Sequence, residues 1–409
     1  MLQLNVLFLS ELFYPHGSGA ELATYMYAKL LDEAGINVIV VTNRFQGEQK
    51  LTKNRNVVVY RLPLLNKNGS AKYGVLKRSD ILLSSFMRKL IRWSDIVYVP
   101  RFWFTAIILA KIYRKPVVTH LHDYIPICPL SVLYNSIGDG LCVKKHSCSV
   151  RCIYLHEYKT RSILRRLEST ALNSTLWPFL SKIIQCSDAV ICVSEAQRRV
   201  LVKHAPSLIT KTRVIYNPLP EASVTAIENN DFGYFGGPSY LKGFHVLSNA
   251  LSILNKTPLY NTIRIHATKF PIQCRTQIKR IGNINLIFYG KLDRTSFEKV
   301  YRGISTVVVP SIWPEPLPYV VAEALMKGRL LIASNVGGIN ELVNGCSGTF
   351  LFEPKDYEHL CELVKYVNGL DKQIILELGA KNRETFSKKF SNEKTLRDFI
   401  YVLERAVCH

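Results

Sequence analysis

The sequence predicts an α/β protein made of two doubly wound parallel-sheet domains. Short apolar runs typical of buried strands alternate along the chain with segments of helical periodicity. The chain has 409 residues, 48% of them hydrophobic, which suffices for two separate cores. A polar stretch without periodicity, Leu219–Asp231, interrupts the alternation. We therefore predict a first domain over residues 1–218, a second over 219–390, and a closing helical segment over 391–409.

The first domain begins with a glycine-rich turn between a strand and a helix. Asn5–Ser10 is apolar throughout, as in a strand buried on both faces, and Leu22–Ala34 has helical periodicity. Gly17 and Gly19 lie between them, at the carboxyl end of the strand, where open parallel sheets bind ligands. Because glycine has no Cβ, this turn can approach a ligand closely.

The rest of the first domain repeats this alternation. Strands are predicted at Asn37–Thr42, Val57–Leu62, Asp95–Val99, Pro116–His120, Ala189–Ser194 and Val214–Tyr216, and helices at Phe104–Tyr113 and Arg161–Gln185. Elements of these lengths in this order predict a parallel sheet covered by helices.

A His-Asp pair follows the strand Pro116–His120, in the string THLHDYIPICP. A histidine at the carboxyl end of such a strand is better placed for ligand contact than for packing. His122 is the candidate, and His120, two residues earlier, is the alternative that we expect on the other side of the strand. A hydrogen-bonded structural pair is the competing interpretation of His122 and Asp123.

Four clustered cysteines follow in a long loop, at Cys128, Cys142, Cys148 and Cys152. Four thiolates suit a tetrahedral zinc site, and the spacing of the last two is usual for zinc ligands. His146 and His156 are further candidate ligands. Because no CxxC pair occurs, buried thiols are the alternative to a structural metal.

The chain is strongly basic. Lys and Arg number 53 against 31 Asp and Glu, for a net charge of +22, which predicts an anionic partner. Gly74–Trp93 and Lys159–Arg166 mix basic and apolar residues, as in segments that bind an anionic membrane surface. Solvated faces of ordinary helices are the alternative. No nucleic-acid-binding signature accompanies the charge, so we expect no nucleic acid partner.

Targeting signals are not apparent. The N-terminal residues lack the basic region and the cleavage site of a signal peptide, and no apolar run reaches 18 residues. Ten cysteines without a secretory signal favour a reducing compartment. We expect a cytoplasmic protein, peripheral on the inner membrane face.

The most informative stretch is Pro310–Val343. It combines the end of a strand, a Pro-rich turn, a helix that begins near Pro318, a second strand at Leu330–Ser334 and a glycine pair. Glu315 lies in the turn, and Glu323 lies about one and a half turns into the helix. Free N–H groups at a helix start, flanked by two carboxylates, suit a diphosphate with hydroxylated groups on either side.

This stretch resembles the E-x7-E region of retaining glycosyltransferases of family 4. The turn with Gly17 and Gly19, the HDY…CP string and the pair Lys242-Gly243 resemble further motifs of that family, so the resemblance covers nearly the whole chain. It implies the GT-B fold: two Rossmann-like domains that face a cleft, with a last helix, Asn392–Ala406, that crosses back to the first domain.

The resemblance implies transfer of a hexose-like sugar from a UDP- or GDP-sugar, with retention at the anomeric carbon. In the second domain it assigns Glu315 to the sugar hydroxyls, Glu323 to the donor ribose and Lys242 to the leaving phosphate. The amides of Leu317 and Tyr319 are expected to hold the diphosphate. The family needs no bound metal for catalysis, and this chain has no DxD triplet.

In the first domain, the resemblance implies that His122 lies beside the transferred sugar. Gly17 and Gly19 are expected to approach the donor and the acceptor. An acceptor that is lipid-linked, or an envelope glycan or glycolipid, would fit the basic surplus.

One position departs from the family pattern. Many relatives carry an arginine five residues before the lysine, where this chain has Gly237. Either Lys242 acts alone on the diphosphate, or Lys291 or Lys269 takes the place of the arginine.

Two other functions remain open. A GT-B nucleotide-sugar epimerase would need acid/base carboxylates in the first domain, where Glu21 is the nearest candidate. A non-catalytic donor-binding scaffold subunit is the other alternative, against which the intact Glu315, Glu323, Lys242 and His122 argue.

Overall fold

A computed structural model describes residues 4–65, 78–142, 150–156, 162–221, 225–258, 261–272 and 276–408. The chain divides into two compact units. The first unit runs up to Leu219 and resumes at Ser391, and the second unit runs from Pro220 to Phe390.

Ten described strands belong to the first unit. They are β1 (Asn5–Leu9), β2 (Asn37–Asn43), β3 (Leu51–Asn54), β4 (Val57–Leu62), β5 (Ile96–Val99), β6 (Val117–Leu121), β7 (Tyr134–Asn135), β8 (Gly140–Leu141), β9 (Ala189–Cys192) and β10 (Thr212–Val214). Eight of them form one sheet in the order β10-β9-β6-β5-β1-β2-β4-β3, parallel except for the β3–β4 pair. β7 and β8 form a separate antiparallel hairpin.

Helices flank this sheet on both faces. Those before the second unit are α1 (Gly19–Glu33), α2 (Ser79–Leu82), α3 (Ser85–Trp93), α4 (Thr105–Ile112), α5 (Val150–His156), α6 (Ile163–Thr175), α7 (Trp177–Gln185) and α8 (Glu195–His204). The helical region predicted over Arg161–Gln185 consists, in its described part, of two helices, α6 and α7. The chain breaks at Leu176, and Pro178 occupies the first turn of α7, where its missing N–H and fixed φ are tolerated.

The second unit contains a second parallel sheet. Its described strands are β11 (Asp231–Tyr234), β12 (Ile263–Ala267), β13 (Thr276–Ile281), β14 (Ile284–Tyr289), β15 (Ile304–Val309), β16 (Leu330–Ser334) and β17 (Thr349–Phe352). They are ordered β13-β14-β12-β11-β15-β16-β17, and only β13 pairs antiparallel to its neighbour. The helices are α9 (Phe244–Leu254), α10 (Arg294–Arg302), α11 (Tyr319–Met326), α12 (Ile339–Val343), α13 (Tyr357–Asn368) and α14 (Lys372–Lys389). The predicted α/β class with two doubly wound parallel sheets is confirmed.

The last helix, α15 (Asn392–Val407), belongs to the first unit. Asn392 anchors its start by accepting a hydrogen bond from the Leu219 N–H at 2.7 Å and donating one to the Leu219 carbonyl at 3.0 Å. Phe399 packs its ring against Tyr27 of α1 and Tyr98 of β5, with centroid separations of 4.4 and 5.2 Å. The chain thus returns to complete the core on one face of the first sheet.

The two faces of the first sheet carry separate apolar clusters. One cluster joins the sheet to α3, α4 and α7, and the other joins it to α1 and α15. No helix in the described part of the chain combines the length and the apolar character needed to cross a bilayer.

We predict that Phe399→Ala destabilises the first unit by about 3–5 kcal/mol, because it removes a fully buried ring and leaves a cavity between α15, α1 and β5. Urea unfolding followed by circular dichroism measures the change. Tyr401→Ala, at an exposed position on the same helix, should stay within about 0.5 kcal/mol of wild type. Equal stability of the two variants would contradict the packing of α15 on this sheet.

Candidate functional site

Three loops of the second unit meet at one edge of its sheet. β12, β11 and β15 are parallel neighbours, so their carboxyl ends lie together. The loop after β15 carries Glu315, the loop after β11 carries Lys242, and the loop after β12 carries Lys269. This is the edge at which open α/β sheets bind ligands.

Glu315 is the centre of this group of loops. It is only 3% exposed, and its Oε1 accepts hydrogen bonds from Lys242 Nζ at 2.6 Å, Ser311 Oγ at 2.7 Å and Trp313 Nε1 at 2.9 Å. Lys242 Nζ also lies 5.3 Å from the centroid of the Trp313 ring. The second oxygen, Oε2, accepts no hydrogen bond from the described residues. One carboxylate oxygen is therefore fixed by the protein, and the other is available to a ligand.

Two glycines bring the backbone into the positions that this arrangement requires. Gly243, with φ at +75°, follows Lys242 and lies so close to the Pro310 carbonyl that a Cβ would clash with it. Gly337, with φ at +54°, lies against the backbone of Glu315 in the same way. The N–H of Gly338 then donates to the Glu315 carbonyl at 2.8 Å. Gly243 of the Lys-Gly pair and Gly337 of the glycine pair thus both allow the backbone to pack closely around Glu315.

Helix α11 begins directly after Glu315 and its prolines. Pro318 is the N-cap residue, and the backbone N–H of Leu317 donates no hydrogen bond within the described residues. Glu323 lies on the second turn, and burial raises the pKa of its carboxyl, opposed by the charges of Lys327 and Lys269. The structure therefore places an unpaired N–H and two carboxylates around one helix start, as the sequence predicts.

Lys269 contributes an additional positive charge at this edge. It has φ at +68°, a left-handed conformation that is uncommon outside glycine. Burial lowers the pKa of its ammonium, as do the charges of Lys242 and Lys291, while Glu323 opposes the shift. Gly237, with φ at +66°, faces it: a Cβ there would lie 3.3 Å from the Lys269 Cβ and carbonyl oxygen. Lys269 thus lies against Gly237, the position at which the family resemblance leads us to expect an arginine.

In the first unit, the glycine-rich turn begins α1. Gly17, with φ at +99°, packs against the side chain of Glu21, and Gly19 is the first residue of the helix. Glu21 Oε2 accepts a hydrogen bond from the Ser18 N–H at 2.6 Å, and Oε1 lies 2.9 Å from Arg101 Nε. Glu21 is therefore a buried capping and ion-pairing residue.

His122 follows β6, and its ring stacks on that of His120 with centroids 4.4 Å apart. Our expectation that the two histidines lie on opposite sides of the strand is wrong, because residues two apart on a strand share a face. His120 is held by the Tyr98 hydroxyl, at 2.7 Å from Nδ1. Burial, and then the charge of Arg101, lower the pKa of His122 to about 3, so that its imidazole is neutral at physiological pH. The buried Nε2 of His122 has no hydrogen-bond partner among the described residues.

Sequence reasoning missed two charged residues of the first unit that interact with Glu21, namely Glu11 and Arg101. Arg101 Nε lies 3.4 Å from Glu11 Oε1, so one guanidinium serves both Glu11 and Glu21. Burial raises the pKa of Glu11 to about 7, against the lowering effect of Arg101. Each residue lies two positions after the end of a strand, β1 or β5, and that position is the signal by which both could have been found.

The predicted zinc site remains a prediction. Cys128 and Cys152 are buried, Cys142 is partly exposed, and Cys148 and His146 lie outside the described residues. Within the described ranges, no set of three or more Cys, His, Asp or Glu side chains is arranged to hold a metal ion.

Comparison with known proteins identifies the family of this chain. Residues 17–222 match the family model described as Glycosyltransferase Family 4, and residues 229–367 match Glycosyl transferases group 1. The chain is also 26% identical, over 355 residues, to an uncharacterized 42.6 kDa protein in the cps region of Klebsiella pneumoniae, covering 83% of this chain and 87% of that one.

Solved structures share the fold. Sucrose-phosphate synthase from Thermosynechococcus elongatus superposes with a TM-score of 0.68 at 15% identity, covering 98% of both chains. HepE from Anabaena in complex with UDP-glucose gives 0.60 at 18% identity, covering 98% of this chain and 100% of HepE. The family models cover both units, and these neighbours have the same architecture. The chain therefore belongs to glycosyltransferase family 4 and is a glycosyltransferase with the GT-B fold.

Proposed function

We propose that this protein is a retaining transferase that moves a hexose-like sugar from a UDP- or GDP-sugar to an acceptor hydroxyl. The observation that carries the proposal is the contact between Lys242 and Glu315 beside the start of α11. Lys242 Nζ lies 2.6 Å from Glu315 Oε1, and this pairing supports a site in which the ammonium would bind a phosphate and the second carboxylate oxygen would accept sugar hydroxyl protons. In a sugar diphosphate, the phosphate and the nearest sugar hydroxyls are also close to each other.

Each part of the donor has a partner in the second unit. The diphosphate would lie at the start of α11, where the N–H groups of Leu317 and Tyr319 and the helix dipole favour an anion. Glu315 would accept hydroxyl protons of the sugar through Oε2, and Glu323 would accept those of the ribose. The neighbour HepE was solved with UDP-glucose, which supports a nucleotide-sugar donor.

In the transfer, the bond between the anomeric carbon and the phosphate oxygen breaks, and the acceptor oxygen forms the new bond on the same face. The acceptor proton passes to the leaving phosphate. Lys242 stabilises the charge that develops on that phosphate, so we propose that the reaction needs no resident metal. Two assignments in the first unit remain predictions: the contact of His122 with the sugar, and the approach of Gly17 and Gly19 to the donor and the acceptor.

We further propose that Lys269 is the second cation on the diphosphate. Its ammonium has neither a hydrogen bond nor an ion pair within the described residues. Burial, and then the charges of Lys242 and Lys291, make its positive charge unfavourable, and a bound dianion would offset both effects. Its left-handed backbone is a local strain of the kind that collects at functional sites. Lys291 remains the alternative.

The epimerase alternative gains no support from the first unit. Glu21 is 1% exposed and is bound by Ser18 and Arg101, and Glu11 is fully buried. Neither carboxylate is accessible to a substrate, so neither is placed to exchange a proton with a sugar. A non-catalytic donor-binding scaffold remains the alternative, and turnover of the donor distinguishes it from a transferase.

The acceptor is proposed to be lipid-linked, or an envelope glycan or glycolipid, reached from the cytoplasmic side of a membrane. The net charge of +22 supports this choice, because an anionic lipid surface attracts a basic protein.

Glu315→Ala should lower turnover about 100-fold or more, since an interaction with the transferring sugar is lost. Glu323→Ala should instead raise the donor KM about tenfold, because a ribose contact acts on binding. A panel of UDP- and GDP-sugars, assayed for nucleoside diphosphate release with and without a chelator, measures both, and the chelator should have no effect. Glu362→Ala, an exposed carboxylate of the same unit, is the matched control. If no donor is consumed and Glu315→Ala binds donors like wild type, the transferase assignment is wrong.

Lys269→Ala should weaken binding of the nucleoside diphosphate about tenfold and leave binding of the matching nucleoside unchanged, since one charged phosphate contact is lost. Because the pKa of Lys269 is lowered, wild-type affinity should fall as the pH rises through that pKa and the ammonium loses its charge. Lys269→Arg should remove this contribution to the pH dependence, because arginine stays protonated. Calorimetry with UDP, GDP and their nucleosides measures these effects, with exposed Lys256→Ala as control. A Lys269→Ala variant that binds the diphosphate like wild type would return the role to Lys242 alone or to Lys291.

A further inference from the structure

Helix α6 has its polar and apolar faces reversed. The side that faces the protein consists of four polar residues spaced as one helical face, Arg166, Ser169, Thr170 and Asn173. Three aliphatic side chains are instead open to solvent, with Ile163 62%, Leu164 80% and Leu167 53% exposed, next to the exposed Glu168, while Leu172 packs against the core. An ordinary surface helix buries its apolar side.

The buried polar side fixes this orientation. Asn173 Nδ2 donates to the Ser169 carbonyl at 2.8 Å and lies 3.2 Å from Ser169 Oγ. The Arg166 guanidinium lies 4.8 Å from the centroid of the Tyr154 ring. The Asn173–Ser169 contacts lie within α6, whereas turning α6 to bury its leucines would break the contact between Arg166 and Tyr154 of α5. The apolar side therefore stays outward.

Neighbouring helices extend the exposed apolar surface. α7 packs against α6 and against α4, and it exposes Phe179. α4 exposes Ile108 and Ile112. Because α4 and α7 cover the same face of the first sheet, these side chains project from one helical layer.

Basic residues belong to the same layer. α3 covers this sheet face through Met87, Leu90 and Ile91, and it exposes Arg88 and Lys89. In the described part of Gly74–Trp93, Met87, Leu90 and Ile91 lie in the core, while Leu83 and Trp93 are exposed. The membrane prediction for this stretch stays a prediction. Arg165 on α6 and Lys182 on α7 are also exposed.

We propose that this layer is a membrane-docking surface, in which the apolar side of α6 enters the headgroup region of an anionic bilayer. The surrounding lysines and arginines complement anionic lipid headgroups, and Ile163, Leu164 and Leu167 supply the apolar contact. The inference rests on the proposed membrane-side acceptor and names the surface that reaches it. Arg165, Arg88 and Lys89 favour an anionic bilayer over an apolar protein partner.

Vesicle co-sedimentation of the full chain tests this surface. Wild type should pellet with vesicles of phosphatidylcholine containing about one third phosphatidylglycerol, and much less with pure phosphatidylcholine. Leu164→Ser with Leu167→Ser should weaken the partition at least tenfold, because two aliphatic side chains no longer leave water. Arg88→Glu with Lys89→Glu should weaken binding to the anionic vesicles only. The control pair, Ile374→Ser with Leu376→Ser, changes similarly exposed aliphatic residues in the second unit and should bind like wild type.

Two results would overturn the docking surface: wild type fails to bind anionic vesicles, or the Leu164/Leu167 double variant binds them as well as wild type does. Sedimentation velocity can give a third overturning result: the wild type self-associates, the double variant is monomeric, and neither binds vesicles. In that case the face is a contact between copies of the chain. Donor turnover, measured without lipid, should be equal in wild type and the double variant. If neither protein turns over a donor, the transferase function is contradicted, and the vesicle result still decides the docking surface.

Discussion

The donor site of the second unit depends on one buried carboxylate. Glu315 is almost fully enclosed, and an enclosed charge is stable only when it is paired and hydrogen-bonded. Lys242, Ser311 and Trp313 all donate to its Oε1, so the loops after β11 and β15 are tied together at that atom. Gly243 and Gly337 have to be glycines because both loops approach other backbone to make this possible.

The same contact gives the site its proposed chemistry. Lys242 is partly exposed and is positioned by Glu315, so its charge is directed to the start of α11. Burial lowers the pKa of Lys269, and the charges of Lys242 and Lys291 lower it further against the opposing charge of Glu323, so a positive charge on Lys269 is unfavourable without a bound anion. A diphosphate supplies the missing negative charge. Binding of the diphosphate and orientation of the sugar thus both depend on the contacts around Glu315.

Local sequence predicted the features that local chemistry controls. The strands buried on both faces are continuous apolar runs, and the Pro-rich turn before α11 marks the helix start. β13 escaped prediction because it is exposed and polar, and it becomes a strand only by pairing with β14. Arg101 and Glu11 escaped because their pairing joins loops far apart in the chain. The sequence left Lys269 and Lys291 as alternatives, and only the fold shows which of them lies against Gly237. α6 misleads pattern analysis, because periodicity identifies its apolar side and tertiary packing places that side outward.

The most direct measurement compares the wild-type affinity for a nucleoside diphosphate, and for the corresponding diphosphate sugar, with those of Lys242→Met and Glu315→Gln. If Lys242 holds the phosphate and Glu315 holds the sugar, Lys242→Met should weaken both ligands at least tenfold. Glu315→Gln should keep the affinity for the diphosphate and lose the additional affinity for the sugar. Unchanged affinities for both ligands in both variants would contradict the proposed donor site.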